Sequence, residues 1–372
     1  DVAIQNTGID AANAAFDPTV KANNTFNHID RPSNSNGAAI IGNQGDSYGL
    51  DLGLSKKTVV GGTANLGVTA NNFRQAQDPF ILQNPTFLNP RTSSSAQLDF
   101  TQPLMRGAGR AANVAPIVLA RIQTERSYFQ LKASVQSLVR SAIEGYWGVV
   151  FARTDAWARR QQEQQSKGAL DLAEARLRAG IGDARDAAQA RLAYFNFRGS
   201  LVTAEANLLQ REAALRNLLG LPPYFPEQMV PVTPPALDRI DPNWIELLTL
   251  AQERRPDLIE LKLILEADEQ RLTQSRNQAL PQVDAVALYR WNGLEGQLPN
   301  GTQLTSRPGQ FTDWTLGVNF SVPLGLRQGR ANLRQQELVI SRDLANLDQG
   351  VHAASHTLAL SLRNLAQFYE QY

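Results

Sequence analysis

Phe100-Thr101-Gln102-Pro103-Leu104 returns 220 residues later as Phe320-Ser321-Val322-Pro323-Leu324, and at the same offset Gly109-Arg110-Ala111 returns as Gly329-Arg330-Ala331. A repeat of this length means that one plan is used twice: strands, a proline at the strand-to-helix junction, then a long helix. Proline has no N–H to give to a strand ladder, so Pro103 and Pro323 are expected to end pairing where helix begins, with Gly109 and Gly329 at the junctions. Solenoids repeat every 20–50 residues or so, which this spacing excludes. The halves are cut unequally. The first has only Asp1–Ala15 where the second has a helix ending in Asn277-Gln278-Ala279-Leu280-Pro281, and the second stops at Tyr372 within a helix whose counterpart runs well past Val150. The expectation is a native chain that continues beyond both ends.

Before each junction the sequence alternates with period two. In Tyr48-Gly49-Leu50-Asp51-Leu52-Gly53-Leu54 the even positions are apolar or aromatic, and Ala64, Leu66, Val68 and Ala70 continue the pattern after a turn at Gly61-Gly62. Ala96, Leu98 and Phe100 form a third run, Thr19–Asn27 a weaker strand, and Val283–Trp291 and Trp314–Leu324 the strands of the second half. Segments Pro32–Gly45 and Gln75–Arg91 read as loops. Alternation by itself means one apolar and one polar face, which a soluble sandwich also has. Two details favour a water-filled interior: the polar faces carry Asn, Thr, Ser and Gly, and Tyr48, Phe73, Trp291 and Trp314 read as aromatics near strand ends, as in an interfacial girdle.

After Arg106 the period changes. Leu131, Val135, Leu138, Ala142, Gly145 and Val149 form one stripe, and Val139, Ile143, Tyr146 and Val150 an adjacent one, stepping by three and four as coiled coils do. A helix from about Ala111 to Leu177 spans roughly 90–100 Å at ~1.5 Å per residue, a rod that a globular domain does not need. Gly180 and Gly182 break it, Asp183 caps the returning helix, and Gly220-Leu221-Pro222-Pro223 ends that helix. The result is an antiparallel hairpin with a tight tip. A proline-rich connector follows, then helices at about 243–253 and 257–279.

Lys plus Arg number 36 against 35 Asp plus Glu, and this near-neutrality gives no electrostatic case for nucleic acid. With no cysteine there is no disulfide framework, thiol nucleophile or zinc–thiolate site. No apolar run is long enough for a transmembrane helix, but strands of about 9–11 alternating residues can cross a bilayer as a closed barrel. His352 and His356 share a helix face without a third ligand in sequence, Asp183 and Asp186 read as a cap and a surface or gating charge, and Gly107-Ala108-Gly109 reads as a bend without the lysine of a phosphate loop. Arg159-Arg160 with Gln161–Gln165 reads as a solvated helix face. No convergent nucleophile, base or metal set appears, so the expectation is no enzyme and no cofactor.

The order helix, strands, long hairpin, connector, then the same again resembles the TolC-like outer-membrane efflux protein family over nearly the whole chain. The matching segments are Leu98–Leu104 and Val318–Leu324, the tip Ala175–Asp186, the helix end Leu215–Gly220, and Ala279-Leu280-Pro281-Gln282-Val283. The resemblance implies an α+β fold in which long coiled-coil-like hairpins form an α-helical barrel joined to a transmembrane antiparallel β-barrel shared by three protomers. It divides the chain into an N-terminal helix remnant (1–15), first-half barrel strands and extracellular loops (16–104), a periplasmic tunnel hairpin (105–220), an equatorial connector (221–256), a second-half tunnel helix (257–280), a second barrel hairpin (281–325) and a tunnel helix (326–372). It implies a homotrimer in the outer membrane of a Gram-negative-type cell, with the helices in the periplasm. Such a channel-tunnel is a passive exit duct for a tripartite efflux pump or a type I secretion system, with outer-membrane lipid, a periplasmic adaptor (membrane fusion) protein and an inner-membrane pump as partners.

By position, the resemblance makes Gly180, Ile181, Gly182 and Asp183 the adaptor-docking tip, and Arg185 and Asp186 the residues that help close the aperture. One departure stands: the first half has up to four strand candidates where the family usually has two. Either the barrel takes more than four strands per protomer, or Ser47–Asn72 is an extracellular or equatorial hairpin. The alternatives to a duct are an envelope coiled-coil scaffold or adaptor-like hairpin protein without channel activity, which leaves the alternating strands unexplained, and an adhesin-like β protein on a helical stalk, which does not require the duplication.

Overall fold

A computed structural model describes residues 2–35, 39–75, 88–223, 229–236 and 238–371. They form two compact units, Asp1–Phe129 with Leu248–Ala359, and Gln130–Leu247 with Leu360–Tyr372.

The first unit opens with helix α1 (Val2–Asn13) and a 3-10 turn (Ala14–Phe16), then four strands: β1 (Thr19–Ser35), β2 (Ala39–Lys57), β3 (Thr63–Gln75) and β4 (Arg91–Pro103). After α2 (Arg110–Arg178), α3 (Ala184–Leu218), α4 (Trp244–Arg254) and α5 (Pro256–Gln278) come β5 (Gln282–Gln297), β6 (Gln303–Thr305), β7 (Phe311–Ser321) and α6 (Arg327–Gln371). All strands join one antiparallel sheet in the order β1-β2-β3-β4-β5, with β6 and β7 both paired to the far side of β5. The strands of both halves therefore share one sheet, joined where β4 meets β5 in the register Phe100↔Ala287. Segment Ser47–Asn72 is part of this sheet, paired with β1 on one side and β4 on the other. The single sheet favours the reading with more than four strands per chain over a separate hairpin.

Several strand limits differ from the sequence expectation. Most of Pro32–Gly45 is strand, because β1 and β2 keep pairing as far as Ser35↔Ala39. Pro32 is tolerated there because β1 is an edge strand and an edge does not need every N–H. Strand β5 runs on to Gln297, where a few residues of β6 continue its pairing. Strand β7 stops at Ser321, short of Leu324, since Pro323, Gly325 (φ 89°) and Leu326 (φ 51°) turn the chain. The expected loop over Gln75–Arg91 lies mostly outside the described residues.

The first junction is held by side-chain amides. Asn277, in the last turn of α5, accepts the Gly107 N–H (2.7 Å) and donates to the Ala108 carbonyl (2.9 Å). Asn113 donates to the Gly107 and Gly109 carbonyls (2.8 and 2.9 Å). Gly107 and Gly109 have φ of 85° and 92°, a conformation that costs a residue with a Cβ. The β2–β3 turn lies so close that a Cβ on Gly61 would stand 2.1 Å from the Gly107 carbonyl oxygen. The second junction is built differently. Gly329 is not in the bend but inside α6, which starts early because Gly325 and Leu326 make the turn. A Cβ on Gly329 would be 2.9 Å from the Ala279 Cα, so glycine here allows α6 to pass close to the end of α5.

Below the sheet, Ile122, Leu263 and Ala267 form a buried cluster with Val118, Leu119, Phe129 and Ile259 packed around it. Asp268 of α5 is also buried, with its carboxylate taking bonds from Arg271 (2.9 Å) and Gln336 (3.3 Å).

In the second unit α2 and α3 form the expected hairpin. Small residues keep the helices close: Val149, Ala152, Ala156 and Ala204 are buried, and a Cβ on Gly145 would be 3.3 Å from Leu215. Arg160–Glu205 and Arg191–Glu174 pair across the hairpin at 2.6 Å. The connector is pinned through its backbone. Met229 donates its N–H to the buried Glu212 of α3 and accepts from Arg153 of α2, while the Thr233 N–H donates to the Tyr146 hydroxyl (3.0 Å).

Candidate functional site

Two surfaces carry the functional reading, one in each unit. The first is the sheet. Directly opposed residues on antiparallel strands point to the same face, so the register sorts every side chain. One face carries Leu50, Leu52 and Leu54 of β2, Leu66 and Val68 of β3, Leu98 and Phe100 of β4, Tyr289 and Trp291 of β5, and Trp314, Leu316, Val318 and Phe320 of β7. Among the described residues nothing covers this face: Leu52, Leu66 and Leu98 are nearly half exposed, and Leu316 is 71% exposed. A contiguous apolar surface of this extent, facing outward, is expected against another protein or a lipid.

The opposite face is polar and laced with hydrogen bonds. Ser55 donates to Asn65, Asn65 to Asp99 (2.6 Å), and Thr69 and Ser95 share a bond (2.8 Å). Arg290 donates to Gln97 (3.3 Å) and Asn292 to Asp313 (3.0 Å). Side chains that pair with one another in a water-facing layer are what a wet barrel interior requires.

This sorting divides the expected aromatic girdle. Tyr48, Trp291 and Trp314 stand on the apolar face, but Phe73 faces Ser47 and points to the polar side, with the Arg91 guanidinium 5.7 Å from its ring. Parity decides this: Tyr48 is opposite Asn72, so the next residue of β3 falls on the other face. Tyr48 and Trp291 also lie within their strands, not at the ends. Phe26, opposite Tyr48, joins the apolar face and was missed because β1 alternates weakly.

The second surface is the hairpin tip. The Gly180 N–H donates to the Leu177 carbonyl and the Ile181 N–H to the Arg176 carbonyl, both at 3.1 Å, with Gly180 at φ 77°. This is a Schellman closure, which satisfies the last carbonyls of α2. The chain then folds so tightly that a Cβ on Gly182 would meet the Leu177 backbone nitrogen at 2.9 Å. Asp183 accepts the Arg185 N–H (3.1 Å) and starts α3. Such closures usually bury the residue after the glycine, yet Ile181 is 81% exposed. Arg185 and Asp186 are exposed in the first turn of α3, where the helix dipole favours the carboxylate and disfavours the guanidinium. The tip thus brings Gly180, Ile181, Gly182, Asp183, Arg185 and Asp186 together, whereas Pro103, Gly109, Pro323 and Gly329 lie at or beside the two junctions.

The rings of His352 and His356 stand 4.4 Å apart, edge to face, and among the described residues no group of three or more His, Cys, Asp or Glu is placed to hold a metal. No helix among them is long and apolar enough to cross a membrane.

Residues 59–221 match the family model described as outer membrane efflux protein. No curated protein matches the chain significantly in sequence. Among solved structures, the whole chain superposes on 70% of the outer-membrane channel OprN with a TM-score of 0.64 at 17% identity. It superposes over 95% of its length on 63% of the CmeC outer membrane channel of Campylobacter jejuni (TM-score 0.62, 13% identity). Over 97% of its length it superposes on 73% of the outer membrane protein VceC of Vibrio cholerae (TM-score 0.62, 14% identity). OprN and CmeC are described as outer-membrane channels. The resemblance to the outer-membrane efflux proteins is therefore shown: the chain carries that family's signature over residues 59–221 and has the fold of outer-membrane channel proteins.

Proposed function

We propose that the chain is one protomer of a homotrimeric outer-membrane channel-tunnel, a passive exit duct served by a periplasmic adaptor and an inner-membrane pump. The observation that carries this reading is the two-sided sheet: one face apolar and uncovered, the other polar and internally hydrogen-bonded. A bilayer requires that combination, with apolar side chains toward lipid, polar ones toward water, and no free strand edge once the sheet closes. The coiled-coil scaffold reading assigns no role to the apolar face.

In this reading the α2–α3 hairpin forms part of the periplasmic tube, and the connector together with α4 lies in its equatorial belt. The tip from Gly180 to Asp183 meets the adaptor, with Ile181 as its exposed apolar contact, while Arg185 and Asp186 act in closure. Tyr48, Trp291 and Trp314 face the lipid. The test is native mass and single-channel conductance of the full-length protein in detergent and in planar bilayers. A detergent-dependent trimer with stable conductance supports the duct. A water-soluble monomer or dimer without conductance overturns it.

A further inference from the structure

Along the apolar face the side chains change character at one level. On β4 and β5 the opposed pairs run Phe100 and Ala287, Leu98 and Tyr289, Ala96 and Trp291, then Ser94 and Gly293, and Thr92 and Glu295. On β2 and β3 the same face runs out through Tyr48 and Asn72 into Asp46 and Arg74, and on β1 His28 bonds Asp46 at 2.8 Å. The apolar band therefore ends just past Trp291, at the end of the sheet away from the two strand-to-helix junctions. Hydroxyls and charges follow within four residues, about 13 Å of strand.

A cleft of about 480 Å³ opens at this boundary. Val68, Ala96 and Trp291 line its apolar side, and Thr92, Ser94 and Glu295 its polar side. Residues 306–309, between β6 and β7, form a rim that brings Arg307 to the cleft. The rim is tied down. The Leu294 N–H donates to the Ser306 hydroxyl (2.8 Å) and the Ser306 N–H to the Leu294 carbonyl (2.9 Å). The Arg307 N–H donates to the Gln310 side chain and the Gln310 N–H to the Arg307 carbonyl, both at 3.1 Å. The floor stays open at Gly293, where a Cβ would stand 2.5 Å from the Ser94 hydroxyl oxygen. On the polar face the neighbouring charges Arg290 and Asp313 pair at 3.8 Å, whereas among the described residues Glu295 and Arg307 form no ion pair.

We propose, on the channel reading, that this cleft binds the head of a phosphorylated glycolipid of the outer leaflet, with a phosphate on Arg307 and sugar hydroxyls on Glu295, Ser94 and Thr92. The channel reading turns this face to lipid and this end of the sheet outward. A guanidinium matches phosphate oxygens both in charge and in its planar array of N–H donors. Glu295 selects among headgroups. A carboxylate beside the cation disfavours a head that offers phosphate alone, and it needs donors, which sugar hydroxyls supply. The Thr92 hydroxyl already accepts from Asn72 (2.9 Å) and keeps its proton to donate, and the Ser94 hydroxyl can donate and accept. A single ethanolamine ammonium would leave most of this polar wall unmatched. The Trp291 ring, with Val68 and Ala96 beside it, gives a flat apolar surface for sugar C–H groups and the first methylenes of an acyl chain.

The test is native mass spectrometry of the full-length protein, purified from outer membranes and delipidated in detergent, with conductance measured alongside. Diphosphoryl lipid A, fully dephosphorylated lipid A and phosphatidylethanolamine are added separately. The expected result is that the channel retains diphosphoryl lipid A under activation that strips the other two. Arg307→Gln removes the charge and Ser94→Leu fills the cleft with a side chain that a lipid-facing surface tolerates. Each should weaken lipid A binding about tenfold or more, as for one lost charge-assisted contact, and leave conductance unchanged. Because one variant acts on charge and the other on space, either alone carries the test if the other fails to assemble. A conducting channel that retains no lipid A, or retains all three lipids alike, overturns the site and leaves the channel reading standing. So do conducting variants that bind lipid A as the parent does. A non-conducting monomer that retains no lipid overturns both.

Discussion

The side chain of Asn277 accepts the Gly107 N–H at 2.7 Å and donates to the Ala108 carbonyl at 2.9 Å, tying the end of α5 to the bend between β4 and α2, 170 residues away in sequence. Both bonds go to backbone groups that the bend leaves without ladder or helix partners. Asn277→Leu removes both, and at about 0.5–1.5 kcal/mol each, with a further cost for the groups left unpaired, a loss of about 2–3 kcal/mol is expected. Denaturant unfolding followed by circular dichroism checks it. Asn277→Asp should also destabilise, because a carboxylate has no N–H for the Ala108 carbonyl.

Gly61 and Gly109 both have positive φ, at 95° and 92°, but different surroundings. A Cβ on Gly61 collides with the Gly107 oxygen, whereas on Gly109 it meets nothing within 4 Å. Gly109→Ala should cost only the backbone term, about 1–2 kcal/mol. Gly61→Ala should cost clearly more and separate the β2–β3 turn from the junction. Comparing the two melting temperatures tests the distinction.

At the hairpin tip, capping and contact are separable. Asp183→Ala removes the cap of α3 and should lower hairpin stability by about 0.5–2 kcal/mol. Ile181→Asp leaves the closure bonds in place, because they are made by backbone, and should weaken adaptor binding without changing helicity. Asp186→Lys should raise single-channel conductance if this carboxylate helps hold the aperture closed. Unchanged conductance removes Asp186 from that role.

Adjacent residues of β7 face opposite media in the proposed duct. Leu316→Arg puts a charge on the apolar face and should cost about 2–4 kcal/mol at mid-bilayer depth, seen as lost insertion into outer membranes. Thr315→Arg lies on the polar face and should insert normally while altering conductance or ion selectivity. Equal tolerance of both substitutions would remove the lipid-facing assignment.

Asp343 of α6 takes two bonds from Arg342, at 2.8 and 2.9 Å, and this guanidinium holds its carboxyl below the usual carboxylate range. Burial acts in the opposite direction, and Asp268 and Asn346 add to the lowering. A carboxyl with a lowered folded-state pKa contributes stability above its unfolded value near 3.8–3.9, and that contribution is lost as pH falls through the lower folded value. The first unit should therefore lose stability below about pH 4. Asp343→Asn should be less stable at neutral pH and show a flatter acid limb in melting temperature against pH.

The strand-to-helix order and most helix limits are legible in the residues alone, because these depend on local chemistry. The long helix was expected to end near Leu177 and ends at Arg178, since Gly180 is needed for the closing turn and Asp183 for the next cap. Four strands in the first half were legible from alternation, which records two different faces. What lies on each face follows from strand pairing, which alternation does not reveal. Whether Phe73 joins Tyr48 depends on a cross-strand register set by pairing partners that lie far apart in sequence, as in Phe100↔Ala287, and a shift of one residue inverts the result. The same holds for Pro32, whose neighbourhood reads as loop until pairing makes β1 an edge, and for Gly329, which looks like a bend because its counterpart Gly109 is one. In each case the local signal states what a residue tolerates, while the partner across the sheet or the neighbouring helix fixes which tolerated state forms.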